Sequence, residues 1–173
     1  MTTLDFGPLG DAHFAPDGDA WTLIFIRELK HPPSAVWEAL TDPAEIDQWA
    51  PFAADRSLAA PGPATLTMID RDERLALPCT VWRADKPEVL EYSWGDDRLR
   101  WDLEPHGRGT RLTLRHTLSK PDMAAMVAAG WHLCFVVLER HLAGDPVGPI
   151  RGRDAMDHGF EELRDQYAEK FRS

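Results

Sequence analysis

The longest apolar stretch of the chain, residues 119–144, repeats its hydrophobic residues at helical spacing. These positions form two adjacent stripes, so the predicted helix has an apolar face too wide for an ordinary surface helix. Ser119 is predicted to cap its start, with Asp122 three residues later, and Gly144 to end it. A helix of this kind must be covered, and we predict a sheet that closes around it. The stripes are Met123, Val127, Gly130, Cys134, Val137 and His141, and beside them Trp131, Phe135, Leu138 and Leu142.

Strand patterns precede this helix. Residues 21–30 are rich in β-branched and aromatic residues and predict a first strand. Residues 98–104 and 110–118 alternate apolar with polar positions, as expected for an antiparallel meander with one wet face. A weaker signal predicts a strand near residues 55–58. Further strands are predicted at 64–69, 75–82 and 89–94, where turn signals separate the apolar runs.

Two short helices are predicted between the first strand and the others, and longer helices after the last strand. Residues 34–40 form a first short helix, and Asp42 with Glu45 forms a capping box over a second. In the long helix, Gly130 costs about 1 kcal/mol relative to alanine, which indicates a kink or the close approach of a backbone or ligand. The amphipathic C-terminal helix is expected to pack on the outside of the domain or against a second copy. Its apolar face carries Met156, Phe160, Leu163, Tyr167 and Phe171.

The length of 173 residues suits one domain, predicted to span residues 1–173. Within it we expect an irregular arm or short hairpin strand at 1–18, a core at 19–144, and a linker with the additional helix at 145–173. No apolar run reaches the ~18 residues of a membrane span, and the N-terminus lacks a signal-peptide pattern. A soluble cytoplasmic protein is therefore expected.

Charge and cysteine usage narrow the function classes. Acidic residues outnumber basic ones by 29 to 19, a net charge of −10, which makes nucleic acid and anionic membranes poor partners. Cys79 and Cys134 lie in apolar runs far apart, which indicates buried thiols rather than a disulfide or a metal site. No set of His, Cys, Asp and Glu has metal-ligand spacing, and no glycine motif suits a phosphate, so we expect no cofactor and no metal.

Four segments of the chain carry a family resemblance. They are HPPSAVWEALTDPAEIDQWAPF (31–52), EYSWG (91–95), GTRLTLRHTL (109–118) and AAGWHLCFVVLERHLAG (128–144). Together they resemble the START-like, Bet v 1-like (SRPBCC) superfamily, in the branch named after the activator of Hsp90 ATPase. The resemblance implies an α+β helix-grip fold, in which a curved antiparallel sheet wraps around the long C-terminal helix. Many relatives hold a lipid, sterol or polyketide in the cavity between them, and some are aromatase/cyclase enzymes without a cofactor.

The leading hypothesis is a binder of a small hydrophobic ligand, such as a lipid, polyketide or aromatic molecule. The seven tryptophans suit either a large aromatic core or a pocket wall, and composition alone does not choose between them. The methionines adapt to irregular ligands but equally fill cores. The predicted lining is Trp49, Phe52, Met68, Tyr92, Trp94, Trp101, His116, Met123, Met126 and Trp131, with no catalytic residue assigned.

Two other hypotheses remain open. In a cofactor-less cyclase or hydrolase, inward-facing His116 with Tyr92 would act as acid or base, whereas a core histidine would bond to backbone or a hydroxyl. His132 is a weaker ligand candidate. Asp102 and Glu104 are separated like an acid/base pair but alternate with apolar residues, which favours a solvated face. Alternatively, the chain is an interaction module, either a homodimer or a partner of an Hsp90-type chaperone.

Overall fold

Eight strands form one continuous antiparallel sheet in the computed structural model, which describes residues 6–172. The first five residues of the predicted N-terminal arm lie outside the described residues. The spatial order is β1-β2-β8-β7-β6-β5-β4-β3, so β2, near the start of the chain, pairs with the last strand. The strands are β1 Asp11–Asp17, β2 Ala20–Leu29, β3 Phe52–Ala54, β4 Gly62–Asp70, β5 Glu73–Asp85, β6 Val89–Trp94, β7 Asp97–His106 and β8 Gly109–Leu118.

The helices complete the helix-grip arrangement and confirm the predicted α+β fold. Proline opens each of the two short helices, where its missing N–H removes no helical hydrogen bond. Asp42 caps the second by accepting a hydrogen bond from the Ala44 N–H at 3.3 Å. The helices are α1 Pro33–Thr41, α2 Pro43–Ile46, α3 Ala124–Leu142 and α4 Phe160–Arg172, and 3₁₀ turns cover Pro121–Met123 and Gly152–His158.

The inner face of the sheet buries the alternate residues that the pattern predicts. In β7 and β8, Leu99 pairs with His116 and Trp101 with Leu114, and all four side chains are buried. In β6 the row of Leu90, Tyr92 and Trp94 lies on this inner face, where Leu90 and Tyr92 are buried and Trp94 packs against Trp131 of the helix. Helix α3 lies across this face, with the ring centroids of Trp131 and Trp101 5.4 Å apart. By length and composition Pro121–Leu142 could cross a membrane, but 61% of its most apolar window is buried in the fold.

Helix α3 differs from its prediction at the start. Ser119 does not cap it, because its N–H and hydroxyl both bond to Asp97; a 3₁₀ turn follows, and Met123 takes the cap position without a side-chain hydrogen bond. Gly144 ends the helix as predicted, with a left-handed φ of 81°. The helix runs unbroken through Gly130. Outside its own turn, no described atom lies within 4 Å of the site of a Cβ there, so the predicted close approach of another backbone is not found.

The weak strand prediction at residues 55–58 is wrong. The strand lies earlier, at Phe52–Ala54, and pairs with β4. The loop that follows curls around one side chain, because the Arg56 guanidinium donates to four backbone carbonyls. These carbonyls belong to Ser57, Ala60, Gly62 and Pro63.

The described part of the N-terminal arm and the C-terminal helix meet on α3. Of the two structures predicted for the arm, residues 11–17 adopt the hairpin strand, which pairs with β2. His132 of α3 is buried and bonds to the Tyr167 hydroxyl at 2.6 Å and to the Phe6 carbonyl at 2.7 Å. Met156 does not share the face of α4 as predicted, because Gly159 in the left-handed region separates the 3₁₀ turn from that helix. The fold is thus closed on one side by both ends of the described chain.

Candidate functional site

A cleft of about 510 Å³ opens at the end of the sheet where α3 begins. Its walls come from β4, β5, the turn between β6 and β7, the end of β8 and the first turns of α3. The apolar lining residues are Met68, Leu75, Leu77, Pro78, Trp94, Leu118, Met123 and Val127, beside Gly95. The polar ones are Asp96, Asp97, His116, Ser119 and Lys120.

Trp94 forms the wall between the cleft and the buried aromatic rings. Its ring centroid lies 5.0 Å from that of Phe52, 5.7 Å from His116 and 6.0 Å from Trp131. Its indole N–H is buried and has no hydrogen-bond partner among the described residues. One face of the cleft is therefore an aromatic surface backed by further rings.

A chain of hydrogen bonds runs along the bottom of the cleft through His116. The Trp131 indole N–H donates to His116 Nδ1 at 3.0 Å, and His116 Nε2 lies 2.6 Å from Asp97 Oδ2. An indole nitrogen can only donate, so Nδ1 must be the unprotonated nitrogen of the ring. Nε2 is then protonated and donates its hydrogen bond to Asp97. His116 is therefore a neutral imidazole that bonds to two side chains, not to the backbone or hydroxyl of a simple core histidine.

Asp97 receives three hydrogen bonds. In addition to His116, the Ser119 N–H donates to Oδ1 at 3.0 Å and the Ser119 hydroxyl donates to Oδ1 at 2.7 Å. Partial burial raises the pKa of this carboxyl, but the hydrogen bonds from His116 and Ser119 outweigh it and hold the pKa below its ordinary value. Asp97 is therefore ionised at neutral pH, and its side chain is 21% exposed.

The order of these groups limits their chemistry. Asp97 lies between Ser119 and His116, so the serine hydroxyl has a carboxylate beside it and not an imidazole base. Both nitrogens of His116 bond to protein, and the residue is only 1% exposed. Tyr92, the other acid/base candidate, accepts from the Trp101 indole at 3.1 Å, and burial raises its pKa far above the ordinary range. The group that this array presents to the cleft is the Asp97 carboxylate.

The ten predicted lining residues separate into three groups. Met68, Trp94, His116 and Met123 meet in the cleft. Met126 is 38% exposed and lies outside the lining. The other five lie behind the cleft, each at most 2% exposed, and fill the space between sheet and helix with rings: Trp49, Phe52, Tyr92, Trp101 and Trp131.

Sequence reasoning missed Asp97 and Ser119. A signal was present for Asp97, since it precedes Leu99 by two residues and so shares the inward register of β7. Its place in a charged hairpin turn hid that register. Ser119 was assigned to a helix cap because its contact with Asp97 spans 22 residues of sequence. A tertiary contact of that kind leaves no local pattern.

Other candidate groups have structural partners. Asp102 lies on the outer face of the sheet, where it accepts hydrogen bonds from Arg100 and Arg115. Both cysteines are free and buried, and burial raises the pKa of Cys79 to about 11 and that of Cys134 to about 12. Across residues 6–172 no cluster of His, Cys, Asp and Glu could hold a metal ion.

Comparison with known proteins relates the chain to a family and a fold. Residues 30–143 match the family model described as activator of Hsp90 ATPase homolog 1-like protein. No curated protein matches the chain in sequence.

Solved structures share the architecture at low identity. A conserved protein of unknown function from Enterococcus faecalis superposes with a TM-score of 0.70 at 17% identity, over 92% of this chain and 90% of that one. CalU16 from Micromonospora echinospora gives 0.69 at 22% identity, over 93% and 97%. A protein from Rhodobacter sphaeroides gives 0.63 at 20% identity, over 78% and 99%. These likenesses establish the fold and leave the ligand to be argued from the cleft.

Proposed function

The chain belongs to the family of activator of Hsp90 ATPase homolog 1-like proteins, and on that premise we propose that it binds a small hydrophobic ligand in the cleft beside α3. The observation that carries the proposal is the cleft itself, which has about 510 Å³ of space and a mainly apolar lining. Ligand sites are commonly concave, mostly apolar and furnished with a few placed polar groups. A lipid, polyketide or aromatic molecule fits this description.

The position of the cleft limits how much of a ligand it can hold. Aromatic rings fill the interior between sheet and helix, so the ligand occupies the open end and does not thread through the core. If it buries about 200 Å² of apolar surface, burial contributes roughly 5 kcal/mol before the cost of association is subtracted. We therefore expect affinities weaker than those of a fully enclosed site.

The cellular setting belongs to the same proposal. A net charge of −10 supports a protein that contacts neither nucleic acid nor anionic membrane. Two free, buried thiols are compatible with the reducing cytoplasm. Homodimer formation and a role with an Hsp90-type chaperone stay predictions.

Filling the cleft should abolish binding. Val127→Trp places a large ring against Trp94 and Met123, whereas Val147→Trp adds the same ring at a position that is 41% exposed and outside the cleft. Calorimetry with 2-naphthylmethanol, a neutral aromatic probe, should show at least tenfold weaker binding for Val127→Trp and no change for Val147→Trp. Equal affinity in all three proteins would place the ligand elsewhere and refute the proposal.

A further inference from the structure

The charge at the cleft is negative. Among its lining residues, one lysine, Lys120, opposes two aspartates, Asp96 and Asp97. His116 adds no charge, because its Nδ1 accepts the Trp131 indole proton. The protein as a whole adds a net charge of −10. An anionic ligand head would therefore meet like charge both in the cleft and over long range.

Asp97 has room for one more hydrogen-bond donor. An ionised carboxylate offers about four acceptor positions. Ser119 takes two on Oδ1 and His116 takes one on Oδ2. The remaining position lies on a carboxylate that lines the cleft and is held in place from within the protein. A ligand N–H can occupy it without displacing any of the existing bonds.

Trp94 supplies a second feature that suits a cation. Its ring lines the same cleft and is backed by Phe52 and Trp131. The face of tryptophan attracts ammonium groups more strongly than that of other side chains. A carboxylate and an indole beside an apolar lining are complementary to a positive head on an apolar body.

We propose that the ligand of this cleft is an amphipathic amine, with an aliphatic or aromatic body on the methionines and leucines and a protonated amine that donates to Asp97. The inference rests on the proposed function and adds the chemical class of the ligand. It predicts that a carboxylate on the same body binds poorly, since Asp96 and Asp97 repel it and Lys120 is the one lysine or arginine among the described lining residues.

Three probes that share a naphthalene ring and differ in the charge of their head group test this preference. At pH 7 and low salt, calorimetry should show that 2-naphthylmethylamine binds at least tenfold more tightly than 2-naphthylmethanol, and that 2-naphthoate binds most weakly. Raising the salt concentration should reduce the advantage of the amine, because salt screens exposed charges. If 2-naphthoate equals or exceeds the amine, the inference fails while the proposed hydrophobic site stands. If none of the three binds, both fail.

Variants localise the preference. Asp97→Asn should remove most of the advantage of the amine over the alcohol. Asp96→Asn, at an exposed position, should also reduce this advantage, and it leaves the hydrogen bonds of Asp97 to His116 and Ser119 in place. Lys120→Gln should strengthen binding of the amine. Glu88→Gln removes the same charge at an exposed position at the other end of β6 and should leave the order of the probes unchanged. An amine advantage that survives both aspartate variants would overturn the inference.

Discussion

The Asp97 carboxylate joins three parts of the chain that local pattern does not connect. It holds the start of β7, the imidazole of β8 and the residue that follows β8. Its pKa is lowered because the folded state donates hydrogen bonds to the charged form. The same atoms therefore stabilise the fold and prepare the polar end of the cleft.

Replacing this carboxylate should cost stability in a pH-dependent way. Asp97→Asn places an amide N–H against the donors of Ser119 or His116, so we expect a loss of about 1–3 kcal/mol at pH 7. Because the folded pKa lies below the unfolded value near 3.8, the loss should be constant from pH 7 to 5 and shrink below about pH 4. Urea denaturation of both proteins at pH 7, 5 and 3 measures it.

The neighbouring aspartate provides the control. Asp96 lies in the same turn, is exposed, and makes no side-chain hydrogen bond with the described residues. Asp96→Asn should change the free energy of unfolding by less than ~0.5 kcal/mol. A difference for Asp97→Asn that already changes between pH 7 and 5 would contradict the assignment to this carboxylate.

At the level of elements, the sequence predicts what repeated patterns determine. The register of β7 and β8 follows from their alternating leucines, and the long helix follows from its two apolar stripes. The start of α3 could not be predicted, because Ser119 bonds to Asp97, which is distant in sequence. The loop after β3 could not be predicted either, because Arg56 bonds to backbone carbonyls that follow no periodic pattern. The filled interior was equally hidden, since side-chain rotamers of tryptophan decide it.

The hydroxyl of Tyr167 links α4 to both α3 and the N-terminal arm. Tyr167 accepts from the Gly10 N–H at 2.8 Å and donates to His132 Nδ1, whose Nε2 donates to the Phe6 carbonyl. Three elements therefore share a single linear chain of hydrogen bonds. Such a chain is sensitive to the loss of its middle member.

Tyr167→Phe should loosen the N-terminal arm and α4 together. It leaves the Gly10 N–H and His132 Nδ1 without a partner, at a cost of about 1–3 kcal/mol. Hydrogen exchange should accelerate in residues 11–17 and 160–172 and stay slow in β7 and β8. Tyr92→Phe, which removes a hydroxyl from the core instead, should leave exchange of the arm unchanged. Uniform acceleration in the Tyr167 variant would contradict the local linkage.

For the whole molecule, His132 predicts a response to mild acid. Burial lowers its pKa below the ordinary 6.5, and this outweighs the opposing hydrogen bond to Phe6. Below about pH 6.5, His132 binds a proton in the unfolded chain but stays neutral in the folded protein. The free energy of unfolding therefore falls as the pH drops below about 6.5. The slope from this group is at most about 1.4 kcal/mol per pH unit.

His132→Gln should flatten that response. Thermal unfolding between pH 7 and 5 should show a smaller decrease in Tm for the variant than for the wild type. His13→Gln, at an exposed position, serves as the matched control and should keep the wild-type slope. The same slope in all three proteins would assign the acid sensitivity to other groups.

The order in which the strands pair bears on how the protein is made. Thr22 of β2 bonds to Thr117 of β8, 95 residues later in the sequence, and His132 bonds to Tyr167, 35 residues later. During synthesis, the N-terminal hairpin thus leaves the ribosome with an unpaired edge, and the core helix leaves it with an unsatisfied imidazole. The sheet cannot close until β8 has been translated, and the buried hydrogen bond of His132 to Tyr167 cannot form until α4 has followed, so the two parts of the core are completed in that order.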